Sequence, residues 1–469
     1  MGIKLQAHPT EEQKLVLSQW MGCARSIWNS KCQEDKYLTT YARKYLPVNT
    51  YAPIDQCFAL YKSKEISPWL FQCPSQILRN SAVNWYKTYQ NFFKGLCGKP
   101  HIKPKRDVGS IHVTKELFRF EKCEDGVIRL FIGSKTNNIG YLSIKTHRNF
   151  KEPKSIYIKK KNGRYTVSLA FNDEADEKGL LDQESYLELL SSLSKEYLEK
   201  ITMGIDRGVT RPVQAGEDVY DFTPGQKKNK LGKEKYLKRL QRRLSRRDNP
   251  KGPSKRKKGS KRRNRIKRKI SRVHEKIANI RRDFCHQTSR KMVDKEDIKV
   301  YVFEDLKTKN MTGSAKGTVK KPGKNVKAKA GLNKAILDKG WHMIESFTKY
   351  KAYKAGKVTF KVPAPYTSQE CAVCGHTQHS NRKGSIFLCQ SCWNTDNADN
   401  NAQKVIKKRA INLILDSGTE LSKRGVLVHG TNVPTFLDIG RGASGKTHKA
   451  KVICAHGYET SKKMKSANA

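Results

Sequence analysis

The sequence predicts a multidomain chain of α/β and α+β type, and three observations carry that reading. Aromatic and aliphatic residues recur at helical spacing between residues 11 and 97. Alternating apolar runs hinged on Asn162-Gly163 follow, the pattern of a β-hairpin. Two further apolar runs each end in an acid: Ile201-Thr202-Met203-Gly204-Ile205-Asp206 and Val300-Tyr301-Val302-Phe303-Glu304. They open a second fold, and 469 residues suffice for two to four such modules.

Residues 3–7 alternate like a first strand and stop at His8-Pro9. Thr10 to Gln13 has the form of a capping box, and Leu17, Trp20, Met21, Ala24, Ile27 and Trp28 continue it at helical spacing. Pro74-Ser75-Gln76 opens a second helix with Ile77, Leu78, Ala82, Trp85, Tyr89 and Phe92 on its apolar stripe. Such stripes serve as core more often than as ligand platforms. A helical module over residues 11–97 is therefore expected.

From Pro100 to Phe171 the texture is that of a compact β-module, with strands at 126–132, 155–160 and 164–171 and the strand at 3–7 as a candidate member. Residues 173–198 are acidic and Leu-rich, a helix or linker. A dense basic block lies between 224 and 269, and basic runs are usually solvated tails. Here Ile266, Ile270, Val273, Ile277, Ile280 and Phe284 recur every three or four residues. That spacing predicts one long helix, apolar on one side and basic on the other, over about 255–290. Lys255, Arg256, Lys257, Lys258, Lys261, Arg262, Arg263, Arg265, Lys267, Arg268 and Lys269 would face nucleic-acid phosphates.

Residues 307–330 are polar and rich in Gly and Lys, so a mobile loop is expected. Trp341 to Tyr353 reads as a helix and Val358 to Val362 as a strand stopped by Pro363 and Pro365. Beyond about 418 periodicity vanishes, and the basic tail 418–469 is expected to be disordered.

Lys plus Arg total 95 against 43 Asp plus Glu, a net charge of +52 that calls for a polyanionic partner. No apolar run spans a bilayer and no secretory leader is evident, so neither a membrane partner nor export is expected. Eight of twelve cysteines are scattered singly, and several, Cys97 among them, have apolar neighbours. Buried reduced thiols in a reducing, cytoplasmic setting are the expectation.

The other four form Cys371-x2-Cys374 and Cys389-x2-Cys392, 14 residues apart. Two such knuckles place four thiolates around a tetrahedral Zn²⁺, with no position left for water, so the site is structural. His376 and His379 are spare.

Taken singly, Asp206 reads equally well as a strand-end turn residue, Glu304 as an ion-pair partner, and Asp399 as the N-cap of the helix beginning at Asn400. Taken together, acids at two strand ends and one helix start can converge on hard cations. Two Mg²⁺ ions about 3.5–4 Å apart would then serve phosphodiester hydrolysis. Asp305 and Asp396 are the nearest rivals, and period-2 alternation turns Asp305 to the opposite face.

Several ordered blocks now give the chain a family likeness: Gly204-Ile-Asp-Arg-Gly-Val209, Phe303-Glu-Asp-Leu-Lys307, Asn310-Met-Thr, Gly331-Leu-Asn-Lys, Ile336-Leu-Asp, Tyr366-Thr-Ser-Gln-Glu-Cys371, Cys374-Gly-His and Asn397-Ala-Asp-Asn-Asn-Ala402. His8 to Gln13 and Pro74-Ser-Gln76 add to it. Over roughly residues 1–415 the chain resembles TnpB, the RNA-guided nuclease of insertion-sequence elements and relative of compact type V CRISPR effectors.

The resemblance implies a RuvC-like (RNase H-like) nuclease domain over 200–365 and 394–417 with an inserted zinc ribbon at 366–393. It also implies a β-barrel wedge module at 1–10 and 98–199 and a helical recognition module at 11–97. By the same likeness Asp206, Glu304 and Asp399 bind Mg²⁺. An RNA from the element's end guides cleavage of double-stranded target DNA beside a short motif, with a monomer as the expected state. A CRISPR effector, a nuclease-independent guided repressor and a transposase acting without RNA are the alternatives. Two positions depart from the family pattern: Trp393 stands where Gly is common, raising the prospect of a strained turn, and Gln403 stands where Ala is usual.

Overall fold

The computed structural model describes residues 2–41, 45, 55–105, 108–122, 127–146, 150, 152–170, 186, 189–246, 260–318 and 321–416. They fall into two compact units, one within Met1–Glu174 and one within Ala175–Lys446. The tail 418–469, Lys255, Arg256, Lys257, Lys258 and most of 173–188 lie outside the described residues.

In the first unit, β1 (Gly2–His8) leads into α1 (Glu11–Thr40) through the expected capping box, Thr10 accepting from the Gln13 N–H and Gln13 answering the Thr10 N–H. The Gln13 amide also donates to the Ile139 and Tyr141 carbonyls, so one side chain both starts the helix and ties it to the sheet. α2 (Ser75–Phe93) follows. Then come β2 (Val108–Thr114), β3 (Phe118–Lys122), β4 (Val127–Gly133), β5 (Asn138–Lys145), β6 (Ser155–Lys161) and β7 (Arg164–Ala170).

These strands form one antiparallel sheet in the order β2-β6-β7-β1-β5-β4-β3. The Asn162-Gly163 hairpin joins β6 to β7, with both turn residues at positive φ (56° and 74°), as its turn type requires. β1 is an interior strand, paired with β7 on one side and β5 on the other. The helices and the sheet share one core: Trp20, Ile27, Ile77 and Leu78 pack with Leu5, Val113, Leu142, Ile158 and Val167. Each such side chain contributes roughly 1.5–3 kcal/mol by leaving water. β2, β3 and β5 were not among the expected strands, and the apolar positions they bury are few: Ile111 and Val113, Phe118, and Ile139, Leu142 and Ile144. Cys23, Cys32 and Cys73 are buried as expected, but Cys97 is exposed, its segment turning back at the end of α2 so that the thiol meets the Thr88 carbonyl at 3.4 Å.

In the second unit, α3 (Lys195–Ile201) runs directly into β8 (Thr202–Asp206), followed by β9 (Val213–Ala215) and β10 (Asp218–Tyr220). Next are α4 (Pro224–Ser245), α5 (Lys261–Val293), β11 (Val300–Glu304), the single turn α6 (Thr308–Met311), α7 (Val326–Lys339), α8 (Trp341–Lys354) and β12 (Val358–Val362). The sheet order is β10-β9-β8-β11-β12, with β8, β11 and β12 mutually parallel and β9 antiparallel to its neighbours. β11 is buried throughout: Val300 and Val302 join one core, and Tyr301 and Phe303 join another on the opposite face. That double burial explains its uninterrupted apolar run.

α4 and α5 make an antiparallel pair, with Leu240 against Val273 and Ile277 and Gln226 bonded to Asp283. α5 is the long basic helix anticipated, but it starts at Lys261, where the Ser260 hydroxyl accepts from the Arg263 N–H. Ile266 is buried, whereas Lys261, Arg262, Arg265, Lys267, Arg268 and Lys269 are exposed and Arg263 is half-buried. The loop expected at 307–330 is largely ordered, with α6 and the start of α7 inside it. Asn333 donates to the Thr312 and Gly313 carbonyls and Lys329 to that of Met311, which pins the segment.

A small three-stranded sheet, β13 (Arg382–Lys383), β14 (Ile386–Leu388) and β15 (Thr395–Asn397), precedes α9 (Ala398–Asp416).

Candidate metal and nucleic-acid site

Parity along the strands decides where the acids point. Phe303 pairs with Ile205 across the parallel β8–β11 ladder, so Asp206 and Glu304 end neighbouring strands at the same edge. Side chains alternate faces. Val300 and Val302 pack with Ile406 and Ala410 of α9, which assigns Glu304 to the α9 face. Met203 and Ile205 belong to the opposite core, so Gly204 and Asp206 also face α9. Asp399 lies in the first turn of that helix. The three acids are therefore brought to one edge of one sheet, at the carboxyl ends of parallel strands, where α/β folds bind ligands.

Gly204 makes this packing possible. A Cβ there would lie 2.0 Å from the Gln403 carbonyl oxygen, so any other residue would push α9 off β8. Gln403 itself is buried, and its amide donates to the Asn400 side chain.

Burial first, then the charges of Glu304 and Asp399, raise the Asp206 carboxyl to about 7. Burial also raises Glu304, against the Thr367 hydroxyl that donates to its Oε1 and against nearby guanidinium groups. Thr367 and Glu304 are 3% and 6% exposed, so this hydrogen bond is made away from water.

Arg207 is buried beside them, donating to the Glu304 carbonyl oxygen and, at 2.7 Å, to Glu345. Burial alone would raise the Glu345 carboxyl, but Arg207 and Lys361 outweigh it and hold the group below its usual range. Arg211 reaches the Asn397 Oδ1 at 3.2 Å, and that same oxygen accepts the Asp399 N–H at 3.1 Å. Asn397, rather than Asp399, thus caps α9, and Asp399 keeps its carboxylate free of the helix start.

Arg382 lies 3.2 Å from the Asp399 carboxylate. Among the described residues the four thiols are the group of three or more ligand side chains whose donor atoms all fall within 4.8 Å of one another. The carboxylates are less tightly gathered. Asp396 is taken up by Lys404 at 2.8 Å and by Asn400, and Asp305 turns toward Lys361, so neither rival joins the cluster.

The four cysteines fit a zinc ion closely. Cys371 and Cys392 are 3.6 Å apart, as are Cys374 and Cys389. A tetrahedron with metal–sulfur bonds of about 2.3 Å has edges of about 3.8 Å. Burial opposes ionisation of Cys389, yet the N–H groups of Cys392 and Ser391 point at its sulfur and pull the thiol below its ordinary value.

Buried Asn381 bonds the Gln369 and His376 carbonyls and accepts the Gln390 N–H, joining the two knuckles. Buried Asn401 of α9 clamps the ribbon from below through Ala372 N–H and the Glu370 carbonyl. His376 bonds Gln378 and stands outside the thiol cluster. Trp393 has φ of 60°, the left-handed backbone for which glycine is suited.

Sequence reasoning assigned no role to Arg207, Arg211, Thr367, Arg382 or Asn397. Three of them lie inside or beside the quoted motifs, but nothing in linear order says that Thr367 reaches Glu304 across 63 residues.

Three family models match the chain. One for IS605 OrfB, described as "Probable transposase", covers residues 195–315, and "Cas12f1-like, TNB domain" covers 341–406. "Helix-turn-helix domain" covers 1–33, where the structure has β1 and most of the single helix α1.

The chain is similar to "Putative RNA-guided DNA endonuclease InsQ" of Escherichia coli (strain K12), 30% identical over 86% of this chain and 90% of that protein. It is also similar to a "Putative RNA-guided DNA endonuclease" of Streptomyces pristinaespiralis, 24% identical over 84% of each. Among solved structures, a Cas12f1-sgRNA-target DNA complex shares the fold with a TM-score of 0.51, covering 85% of this chain and 83% of that one at 14% identity. The mixed α/β multidomain architecture is common to both. With its ordered motifs and its identity to InsQ over nearly the whole length of both proteins, the chain belongs to the TnpB family of RNA-guided DNA endonucleases.

Proposed function

We propose that the chain is the RNA-guided, Mg²⁺-dependent DNA endonuclease of a transposable element, cutting DNA that pairs with its guide beside a short motif. The observation that carries this reading is the shared edge of Asp206 and Glu304 on parallel strands, with Asp399 on the helix covering the same face. An all-oxygen donor set with a carboxyl raised to about 7 is one that divalent cations relieve of mutual repulsion.

Asp206, Glu304 and Asp399 would hold the magnesium. The ion, when bound, supplies an activated water and neutralises charge on the phosphate. The chain's own residues do the rest. Thr367 and Arg207 fix Glu304 from its carboxyl and carbonyl ends. Asn397 frees Asp399, and Arg382 stands beside it as a cation able to meet a phosphate. The exposed basic side chains of α5, including Lys261, Arg262, Arg265, Lys267, Arg268 and Lys269, offer a phosphate-tracking face, joined by the half-buried Arg263.

The β8–β12 sheet, an antiparallel meander continued by two parallel strands, supports the RuvC-like reading of 200–365 and 394–417. The seven-stranded sheet suits the wedge module of 1–10 and 98–199, and α1 and α2 the recognition module of 11–97. The four thiols suit a structural zinc at 366–393.

The test is reconstitution: purified protein, the RNA that copurifies with it, and a plasmid carrying the matching sequence. Cutting that requires both magnesium and RNA is expected. Cutting that survives removal of the RNA would favour direct transposase action, the reading suggested by the description of the 195–315 model.

A further inference from the structure

Among the described residues, four other than glycine have positive φ: Asn162, Asn325, Tyr366 and Trp393. Asparagine tolerates the left-handed region, and bulky side chains do not. Tyr366 (φ 64°) and Trp393 (φ 60°) are therefore strained, and they share a second property: their relative exposures are 64% and 70%.

Each backbone turn has a clear local purpose. The Tyr366 carbonyl accepts from the Gln369 and Glu370 N–H groups at 2.8 and 3.0 Å, leading the chain into the first knuckle. The Trp393 N–H returns to the Cys389 carbonyl at 3.1 Å, closing the second. Glycine or asparagine would serve either turn. Among the described residues neither side chain makes a hydrogen bond, and neither ring stacks on another ring or lies under a cation, so no specific contact within those residues accounts for them. Strain held at an exposed aromatic points to something outside the chain.

Location says what. Tyr366 directly precedes Thr367, whose hydroxyl holds Glu304, and follows Pro365, whose carbonyl accepts from Arg409 at 3.0 Å. Trp393 lies six residues before Asp399, joined to it by β15. The basic groups Arg382, Lys383 and Lys408 belong to the same ribbon and its supporting helix. An exposed ring on a ribbon that carries its own basic residues, in a chain of net charge +52, matches one chemistry, a base on a phosphate backbone.

We propose that Tyr366 and Trp393 are stacking platforms for unpaired bases of the DNA strand presented to Asp206 and Glu304. This rests on the nuclease reading above. Stacking tolerates any base, so the platforms position the strand without reading sequence.

The experiment uses the guided complex and target DNA with 2-aminopurine at nucleotides flanking the cut. Tyr366→Gly and Trp393→Gly remove the rings and relieve the backbones, whereas Tyr366→Phe and Trp393→Phe keep the rings. Single-turnover cutting should fall about tenfold for each Gly variant and stay within about twofold for each Phe variant. Melting temperature should not fall in the Gly variants.

In an Asp206→Ala background, where cutting is blocked, 2-aminopurine should be quenched with the native rings and brighten when either becomes Gly. Gly variants that cut like wild type with unchanged fluorescence would overturn the proposal. Gly variants that melt well below wild type would also overturn it, by showing the rings to be structural. Failure of the wild type to cut would sink the nuclease reading alone, since the fluorescence arm needs no cutting.

Discussion

The two candidate metal sites of the second unit are built on opposite plans. The thiols come from residues 371–392, a span of 22 residues closed by its own hairpin and by Asn381, and the sulfur pairs stand 3.6 Å apart. The acids come from positions 206, 304 and 399, and each is delivered by a different element of a large fold. The thiols pack into a small core of their own, Cys371 and Cys389 lying buried with Phe387 and Ala398. The acid site instead raises the Asp206 carboxyl, by burial first and then by the charges of Glu304 and Asp399, and Arg382 stands beside Asp399. A local site is preorganised by its loop. A long-range site depends on parity, on one glycine and on a few buried donors.

Experiments can break or sharpen that contrast. The largest effect is expected at Asp206: Asp206→Ala should lower guided cutting on the order of 10³-fold while leaving RNA and target binding intact. A plasmid-nicking assay beside a binding assay checks this, and retained cutting would remove the acid from the reaction.

Next is the ribbon. Cys371→Ser with Cys374→Ser should reduce bound zinc from about one per chain to nearly none and unfold the segment locally. Elemental analysis of the purified variant decides it, and full zinc content would mean that other ligands hold the ion.

Thr367→Val deletes the buried donor to Glu304 without changing shape, and a loss of about 10–100-fold in cutting is expected, with unchanged DNA affinity. An equal loss in affinity would point to a folding role instead.

The smallest effect concerns pH. In magnesium-free protein the folded Asp206 titrates near 7, against an ordinary value of 3.8. Between those values the folded state carries a proton that the unfolded state lacks, so stability falls as pH rises through the window. Asp206→Asn abolishes this dependence. Its melting point should gain on wild type between pH 5 and pH 8, by at least about 1 kcal/mol of stability. Parallel melting curves across that range would show that burial there is less complete than the structure has it.

Local features were the legible ones. The Thr10 capping box, the Asn162-Gly163 hairpin, the buried stripe of α5 and the double-cysteine knuckles depend on residues a few positions apart, and all are formed as read. Three strands, β2 and β3 at the two edges of the sheet and β5 inside it, escaped because each buries only a few apolar positions in a polar or basic stretch. The 307–330 segment was misread for a related reason. Its order comes from Asn333 and Lys329, tertiary contacts that composition cannot show. At the candidate centre, the acids were visible as anomalies in a basic chain. Their supporting partners Arg207, Thr367 and Asn397 were not, since an arginine or threonine in such a sequence has no distinguishing context until folded.

The interior position of β1 has a consequence for how the protein is made. Its residues 2–8 are made long before the segments they pair with, 143–145 and 165–170. At about 5–20 residues per second, the nascent segment waits roughly 10–30 s for both neighbours. During that interval Leu5 and Ala7 are unprotected, and α1 can form but has no sheet to lie on. Refolding of this unit should be governed by loop closure across more than a hundred residues, and slow translation would favour a chaperone's grasp over spontaneous closure.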